Sequence, residues 1–335
     1  MQATVIQVEQ LGGPEVMQVA RRSVPAPAAG EVLIRQHASG VNFLDVYHRT
    51  GLYPLPRPFV LGMEGSGVVE AVGPVAPGEP PSHLAVGDRV AYASHPPGSY
   101  STLRVMPSKC VVKLPDSIDF EQAAGMMLKG MTVQYLLRKT VPQGGLQPGD
   151  FALFHAGAGG VGLIACQWAK AIGLRLIVTA GSDEKCALAL AHGAEHAINY
   201  RRENFAERVK ELTDGQKVKV VYDSIGHDTW GGSLDCLRPF GLMVSYGNAS
   251  GPVPPVSLGT LSAKGSLYVT RPSLFTHLHS RESTQAMADD LFDVVTQGLV
   301  KIHVGRRYAL QDAAQAHRDL EARETVGASV LICKE

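Results

Sequence analysis

The sequence predicts an α/β protein in which a doubly wound parallel sheet is inserted in a β-rich domain built from both ends of the chain. Three observations carry that reading. Residues 1 to about 129 read as short strands cut by Gly and Pro, as half-buried antiparallel strands do. After Gly149-Asp150, apolar runs of five or six residues alternate with helix-length segments, the rhythm of a parallel sheet with crossover helices. Beyond Arg271-Pro272 the tail has only the first segment to pack on once the middle forms its own domain. The expected boundaries are 1–129 with 272–335 for the outer domain and 130–271 for the inserted one. A chain of 335 residues suits two domains of roughly 150 residues each.

In chain order, 4–8, 31–38, 66–72 and 89–92 are expected strands of a barrel or sandwich, and the Pro-rich stretch 74–81 a loop. Then 151–156 is a buried strand, 161–172 a helix, 174–179 a strand and Asp183–Ala191 a helix closed by Gly193. The cycle continues through strand 197–200, helix 205–213, strand Val218–Asp223, segment 229–237 and strand 242–246. An amphipathic helix over 282–296, a second around 310–320 and a strand over 328–333 complete the outer domain.

Composition removes several function classes. Hydrophobic residues at 45% and charged residues at 19% exclude a disordered chain, a collagen-like repeat or a coiled-coil rod. Lys plus Arg and Asp plus Glu number 31 each, so no basic excess exists to neutralise a nucleic acid or an anionic membrane. No apolar run approaches the about 20 residues that span a bilayer. The first eleven residues lack the basic and apolar regions of a secretory signal, and a cytoplasmic address is expected. Five scattered cysteines, Cys110, Cys166, Cys186, Cys236 and Cys333, contain no C-x-x-C pair and read as reduced packing residues.

The strand ending at Ala156 is followed at once by Gly157-Ala158-Gly159-Gly160-Val161-Gly162, which fits G-x-G-x-x-G and opens into an apolar helix. The first glycine permits the tight turn and the second lets backbone N–H groups approach a pyrophosphate. The third, Gly162, lets helix and strand pack closely. Where NAD-selective sites carry a carboxylate for the ribose, this chain ends its second strand with Thr179-Ala180-Gly181-Ser182, and Lys185 follows. Room, a hydroxyl and an ammonium charge favour NADPH over NADH. Asp183-Glu184 stand between them and read as the cap and first turn of a helix. Twelve histidines yield no metal set: His192 and His196 straddle Gly193, and His277 and His279 lie in an expected loop without a cysteine nearby. The chain reads as metal-free.

These residues, with Gly40-Val41-Asn42-Phe43-Leu44-Asp45 to Tyr47, Leu128-Lys129-Gly130-Met131-Thr132, VVYDSIG at 220–226, SYGNASG at 245–251 and YVTRPSL at 268–274, carry a resemblance. The chain resembles the zinc-independent, zeta-crystallin-like NADPH:quinone oxidoreductases of the medium-chain dehydrogenase/reductase superfamily. The resemblance implies a GroES-like catalytic domain made of both chain ends, a Rossmann domain inserted between them, a cleft holding NADPH, and a homodimer. In zinc-using cousins a Cys stands near Asn42 and a His just before the Glu that corresponds to Glu64; here those places hold Asn42 and Met63.

Carried over position by position, Asn42, Thr132 and Asn248 resemble residues that hold the nicotinamide half, and Gly159, Gly160 and Val161 the pyrophosphate loop. Gly181, Ser182, Lys185 and Tyr200 stand at the 2′-phosphate end, and Arg323 looks like an arginine that reaches a cofactor phosphate. Asp45, Tyr47, Tyr53 and Tyr135 resemble the lining of a quinone pocket. The expected reaction is hydride transfer from NADPH to a quinone, for which positioning and hydrogen bonds to the developing oxyanion suffice. The alternatives are a 2-alkenal or enone reductase using the same cofactor, and a low-turnover structural or RNA-binding protein that keeps the cofactor.

Overall fold

In the computed structural model, which describes residues 1–333 apart from 77, 79, 142 and 143, both ends of the chain meet in one sheet. The long strand Glu31–Val41 runs antiparallel to Glu64–Val72 on one side and to Ala328–Ile332 on the other, with Ser329 opposite Val41. Ile6, Val8, Phe59, Leu61 and Tyr100 share one buried cluster with Leu310, Ala313, Ala316, Leu331 and Cys333. That shared core is why the tail folds back onto the beginning. A three-stranded sheet centred on Gln2–Val8 completes this first unit, which comprises 1–131, 277–296 and 302–335.

The second unit comprises 132–276 and 297–301. The stretch 297–301 is tied to it by Gln167, whose side-chain amide donates to the Lys301 carbonyl and accepts from the Lys301 N–H. Six parallel strands lie in the order His196–Asn199, Arg175–Ala180, Phe151–Phe154, Val218–Asp223, Leu237–Ser245 and Tyr268–Thr270. The first two to form in sequence stand inside the third, so the order reverses between Phe151–Phe154 and Val218–Asp223. Leu153, Ile177, Ile198, Val218, Val221 and Met243 are buried together, the continuous apolar runs that a sheet covered on both faces requires. The fold is thus an α/β Rossmann sheet inserted in a β-rich GroES-like domain.

Two helices stand where the sequence reading placed only strands and turns. The first, α1 (Phe43–Thr50), is capped by Asn42 and ends at Gly51 with φ +84°. The second, α2 (Phe120–Lys139), is buried over most of its length. Four smaller corrections follow. The expected helix 310–320 is a 3₁₀ turn, Leu310–Asp312, continued by Ala313–Glu321. The strand expected at 242–246 begins at Leu237, and its register shifts against the neighbouring strand. The segment 229–237 divides into a helix, Trp230–Asp235, and the start of that strand. His277 closes a short helix, Leu274–His277, instead of lying in a loop. Of the loop 74–81, residues 77 and 79 lie outside the described residues, and the rest carries no helix or strand.

Candidate functional site

In the second unit the site is built at the carboxyl ends of the parallel strands, where the strand order reverses and ligands of such sheets bind. The chain leaves Phe151–Phe154 through His155 and Ala156, the latter at φ +58°, and enters α3 (Gly160–Ala171) after Gly159. Each glycine has its own reason. A Cβ on Gly157 would stand 2.5 Å from Val178, and one on Gly162 would stand 2.4 Å from the Ala156 carbonyl and 2.5 Å from that of Gly157. These two let strand, turn and helix touch. A Cβ on Gly159 would meet only the Ala156 carbonyl, at 3.3 Å, so its outer side is open to an approaching group. The first-turn N–H groups of α3 have no acceptor within the helix and carry its positive end. Donors, dipole and open backbone together fit a pyrophosphate.

The neighbouring strand, Arg175–Ala180, runs through Gly181 into α4 (Asp183–Ala191). Ser182 caps α4, its hydroxyl accepting from the Lys185 N–H at 3.3 Å. A Cβ on Gly181 would stand 2.7 Å from the Tyr200 hydroxyl, so Gly181, Ser182, Lys185 and Tyr200 are gathered at one strand end. Asp183, the carboxylate that stood against a phosphate in sequence, is engaged: it accepts from Asn199 at 2.7 Å and pairs with Arg202. Both partners of that ion pair are exposed, and Arg202 brings a cation that sequence reasoning missed. Asn248 lies in the turn after Leu237–Ser245, where Arg271 donates to the Ser245 hydroxyl and the Gly247 carbonyl, both at 2.9 Å. Tyr135, on the portion of α2 in this unit, is almost fully buried; burial pushes its hydroxyl up, and the Arg271 charge partly offsets that. Thr132 is buried on the same portion of α2.

In the first unit the cap of α1 gathers a second group. Asn42 donates through its side chain to Glu64 at 2.8 Å, and its backbone N–H donates to Asp45 at 2.9 Å. Glu64 is wholly buried and also accepts from Lys129 and from the Leu128 N–H. One buried ion pair therefore fixes the Asn42 amide. Tyr47 and Tyr53 meet edge to face, ring centroids 5.2 Å apart, with Phe43 beyond Tyr47. Asp45 engages one carboxylate oxygen in the protein and leaves the other, Oδ1, buried without a hydrogen-bond partner. The residue is fully buried, accepting from Asn42 and from the Tyr100 hydroxyl, and burial pushes its carboxyl up to about 7.

Behind Tyr100 the hydrogen bonds run to His317 and then to Arg49, at 3.1 Å each, and Arg49 pairs with Glu321. Arg49 can only donate, so His317 Nδ1 accepts and its Nε2–H points to Tyr100, whose own proton goes to Asp45. Every proton in this chain faces inward, and its outer end is a guanidinium that does not release one. It orients Asp45 rather than conducting protons. Glu64, Lys129, Tyr100 and His317 escaped the sequence reading as functional residues. Lys129 alone left a signal, a cation in an otherwise apolar stretch, which must be paired if buried. Arg323 follows the helix Ala313–Glu321 with φ +59° and is exposed.

Among the described residues no three of His, Cys, Asp and Glu come together as metal ligands. Asn42 and Met63 offer no such donors beside Glu64, and Glu64 is saturated by an ammonium, an amide and a backbone N–H. These residues do not fit a zinc ion.

A switch-point glycine turn at a helix start in one unit, together with a second, β-rich unit closed by both chain ends, defines a two-domain dinucleotide-binding dehydrogenase or reductase. The chain matches two family descriptions, Alcohol dehydrogenase GroES-like domain over residues 28–137 and Zinc-binding dehydrogenase over residues 160–292. It is 54% identical over 328 residues to a quinone oxidoreductase of Pseudomonas aeruginosa, covering 98% of each chain. It is 41% identical to a 2-haloacrylate reductase of a Burkholderia species, covering 97% of each. The solved structure of Escherichia coli quinone oxidoreductase complexed with NADPH superposes with a TM-score of 0.94 at 49% identity, covering 98% of this chain and 99% of that one. The chain belongs to the quinone oxidoreductase family of the medium-chain dehydrogenase/reductase superfamily.

Proposed function

We propose that this protein is an NADPH:quinone oxidoreductase that works without a metal. The observation that carries the reading is the strand end at Gly181, Ser182, Lys185 and Tyr200, where of the two first-turn acids Asp183 is paired with Arg202 and Glu184 is hydrogen-bonded to Ser182. That arrangement receives a 2′-phosphate, and relatives of this chain include a quinone oxidoreductase complexed with NADPH. Bound NADPH supplies the hydride, and a quinone is electrophilic enough to take it without Lewis-acid help. The chain's own part is geometric and electrostatic. Gly157 to Gly162 hold the pyrophosphate; Asn42, Thr132 and Asn248 orient the nicotinamide half; Arg323 takes a phosphate oxygen. Tyr47, Tyr53 and Tyr135 line the acceptor and donate to its developing oxyanion. Asp45 keeps Asn42 and α1 in place as a positioning residue. Lys129 serves the same end by holding Glu64 on Asn42. The protein acts as a homodimer in the cytoplasm and uses no nucleic acid.

A 2-alkenal or enone reductase is the second reading, favoured by the 2-haloacrylate reductase among the relatives. Steady-state assays with several quinones, a 2-alkenal, NADPH and NADH test both. Quinones are expected to turn over with NADPH and faster than the alkenal; no NADPH-dependent reduction of any quinone sinks the proposal. Elemental analysis is expected to find no stoichiometric zinc, and finding it would overturn the metal-free mechanism.

A further inference from the structure

We propose that His155, as its Nε2–H tautomer, is a positioning residue for the dinucleotide, tying together the three strand ends from which the candidate cofactor loops spring. The inference rests on the NADPH reading above and deepens it. His155 is buried between Phe154 and Ala156, one residue before the glycine turn begins to bend. Its Nδ1 lies 2.9 Å from the Thr179 hydroxyl, on the strand that delivers Gly181 and Ser182. Its Nε2 lies 2.9 Å from the Ser233 hydroxyl, which in turn donates at 2.8 Å to Asp223, the last residue of the strand across the reversal point.

The tautomer follows from counting protons. Ser233 has one hydroxyl hydrogen and gives it to Asp223, so towards His155 it can only accept, and Nε2 must carry the hydrogen. Nδ1 of the neutral ring then accepts from Thr179. Burial, which pushes the ring's proton affinity down, agrees with a neutral imidazole. Asp223 is completed by the Thr229 hydroxyl and by the N–H groups of Ile225 and Gly226, which shape the turn after its strand. A further bond closes the set: Gly157 N–H donates to the Thr179 carbonyl at 2.9 Å. Each loop is thus referenced to its neighbours through one imidazole.

The same three residue types recur in hydrolytic triads, but this set has neither their access nor their order. Ser233, His155 and Asp223 are all buried, and the serine's proton faces the acid instead of the imidazole. Phe205 seals the ring edge to face at 5.1 Å. What remains is alignment, and alignment of the phosphate loop against the 2′-phosphate end is a determinant of cofactor affinity.

Thr179→Val, His155→Gln and their double variant test this, read by calorimetric titration with NADPH beside melting temperature and kcat at saturating NADPH. His155→Gln can keep a donor towards Ser233 while losing the Thr179 bond, so the two changes remove one shared interaction. Each single variant is expected to bind NADPH about tenfold more weakly, with kcat within about twofold of wild type, and the double variant no worse than either. A lowered melting temperature with unchanged NADPH affinity would mean packing alone and overturns the proposal, as do losses that add in the double variant. Should the His155 variant fail to fold, the Thr179→Val affinity decides alone. Wild-type protein that binds no NADPH overturns the cofactor reading and this one together; wild type that binds, with Thr179→Val matching it, overturns only this one.

Discussion

Lys185 and Asp183 show how little at the level of single residues can be taken from charge in sequence. An acidic pair beside the 2′-phosphate end argued against NADPH, yet Asp183 is bonded to Asn199 and Arg202, and Glu184 is hydrogen-bonded to Ser182. Lys185 lies one turn into that helix, its backbone N–H on the Ser182 hydroxyl, and is the cation proposed for that end. Lys185→Ala is expected to raise the Michaelis constant for NADPH about tenfold and that for NADH less than about twofold, because only the former loses a charge-assisted bond. Initial rates with the two cofactors check it, and equal changes would remove Lys185 from the phosphate site. Asn42, Tyr47 and Tyr53 could be singled out from the resemblance. That Glu64 and Lys129 grip Asn42 could not, since their partners lie 22 and 65 positions apart along the chain.

The glycine turn offers a contrast between two neighbours with the same side chain and different jobs. Gly159 can take a methyl group with a shift of a few tenths of an ångström at the Ala156 carbonyl, but that methyl occupies the side open to phosphate. Gly162 cannot, since two backbone carbonyls stand within 2.5 Å of the added carbon. Gly159→Ala is therefore expected to cost about 1 kcal/mol of stability or less while weakening NADPH binding, whereas Gly162→Ala loses both. Denaturant unfolding and calorimetry on the two variants separate these outcomes. The parallel sheet was legible in the sequence because its strands are continuous apolar runs separated by helix-length segments. Helix α2 was not: residues 129–137 are buried on every side, so no periodic apolar face exists to be read. Gly130 in its middle, a poor helix former, is there because any Cβ would strike Leu291 at 2.5 Å. Helix α1 did leave a mark, Asn42 with Asp45 three residues on and Gly51 past the end, hidden because Asn42 and Asp45 were read as site chemistry.

For the molecule as a whole, buried titratable groups set the direction of its pH response. Burial lowers His48 from 6.5 to about 4 and His317 to about 3, so both resist charging in the folded state. Their contribution is complete above about pH 6.5 and is lost as pH falls towards those values. Asp45 acts oppositely, since a carboxyl raised to about 7 favours the fold most below 3.8 and loses that advantage as pH rises through 7. Two groups outweigh one, so stability is expected to fall between pH 6.5 and 4.5 by up to about 1.4 kcal/mol per pH unit from these three. Urea midpoints across that range measure it, and His48→Phe is expected to flatten the slope; an unchanged slope would clear His48. The pairing of Glu31–Val41 with Ala328–Ile332 also has a meaning in time. During synthesis the nucleotide-type sheet can close soon after residue 270 emerges, while the end of the earlier-made strand at residues 38–41, beyond the stretch that Leu103–Pro107 covers, waits for a partner that the ribosome delivers much later. The domain begun first is the one finished last, and until then a short stretch of strand edge is open to pairing with a neighbour.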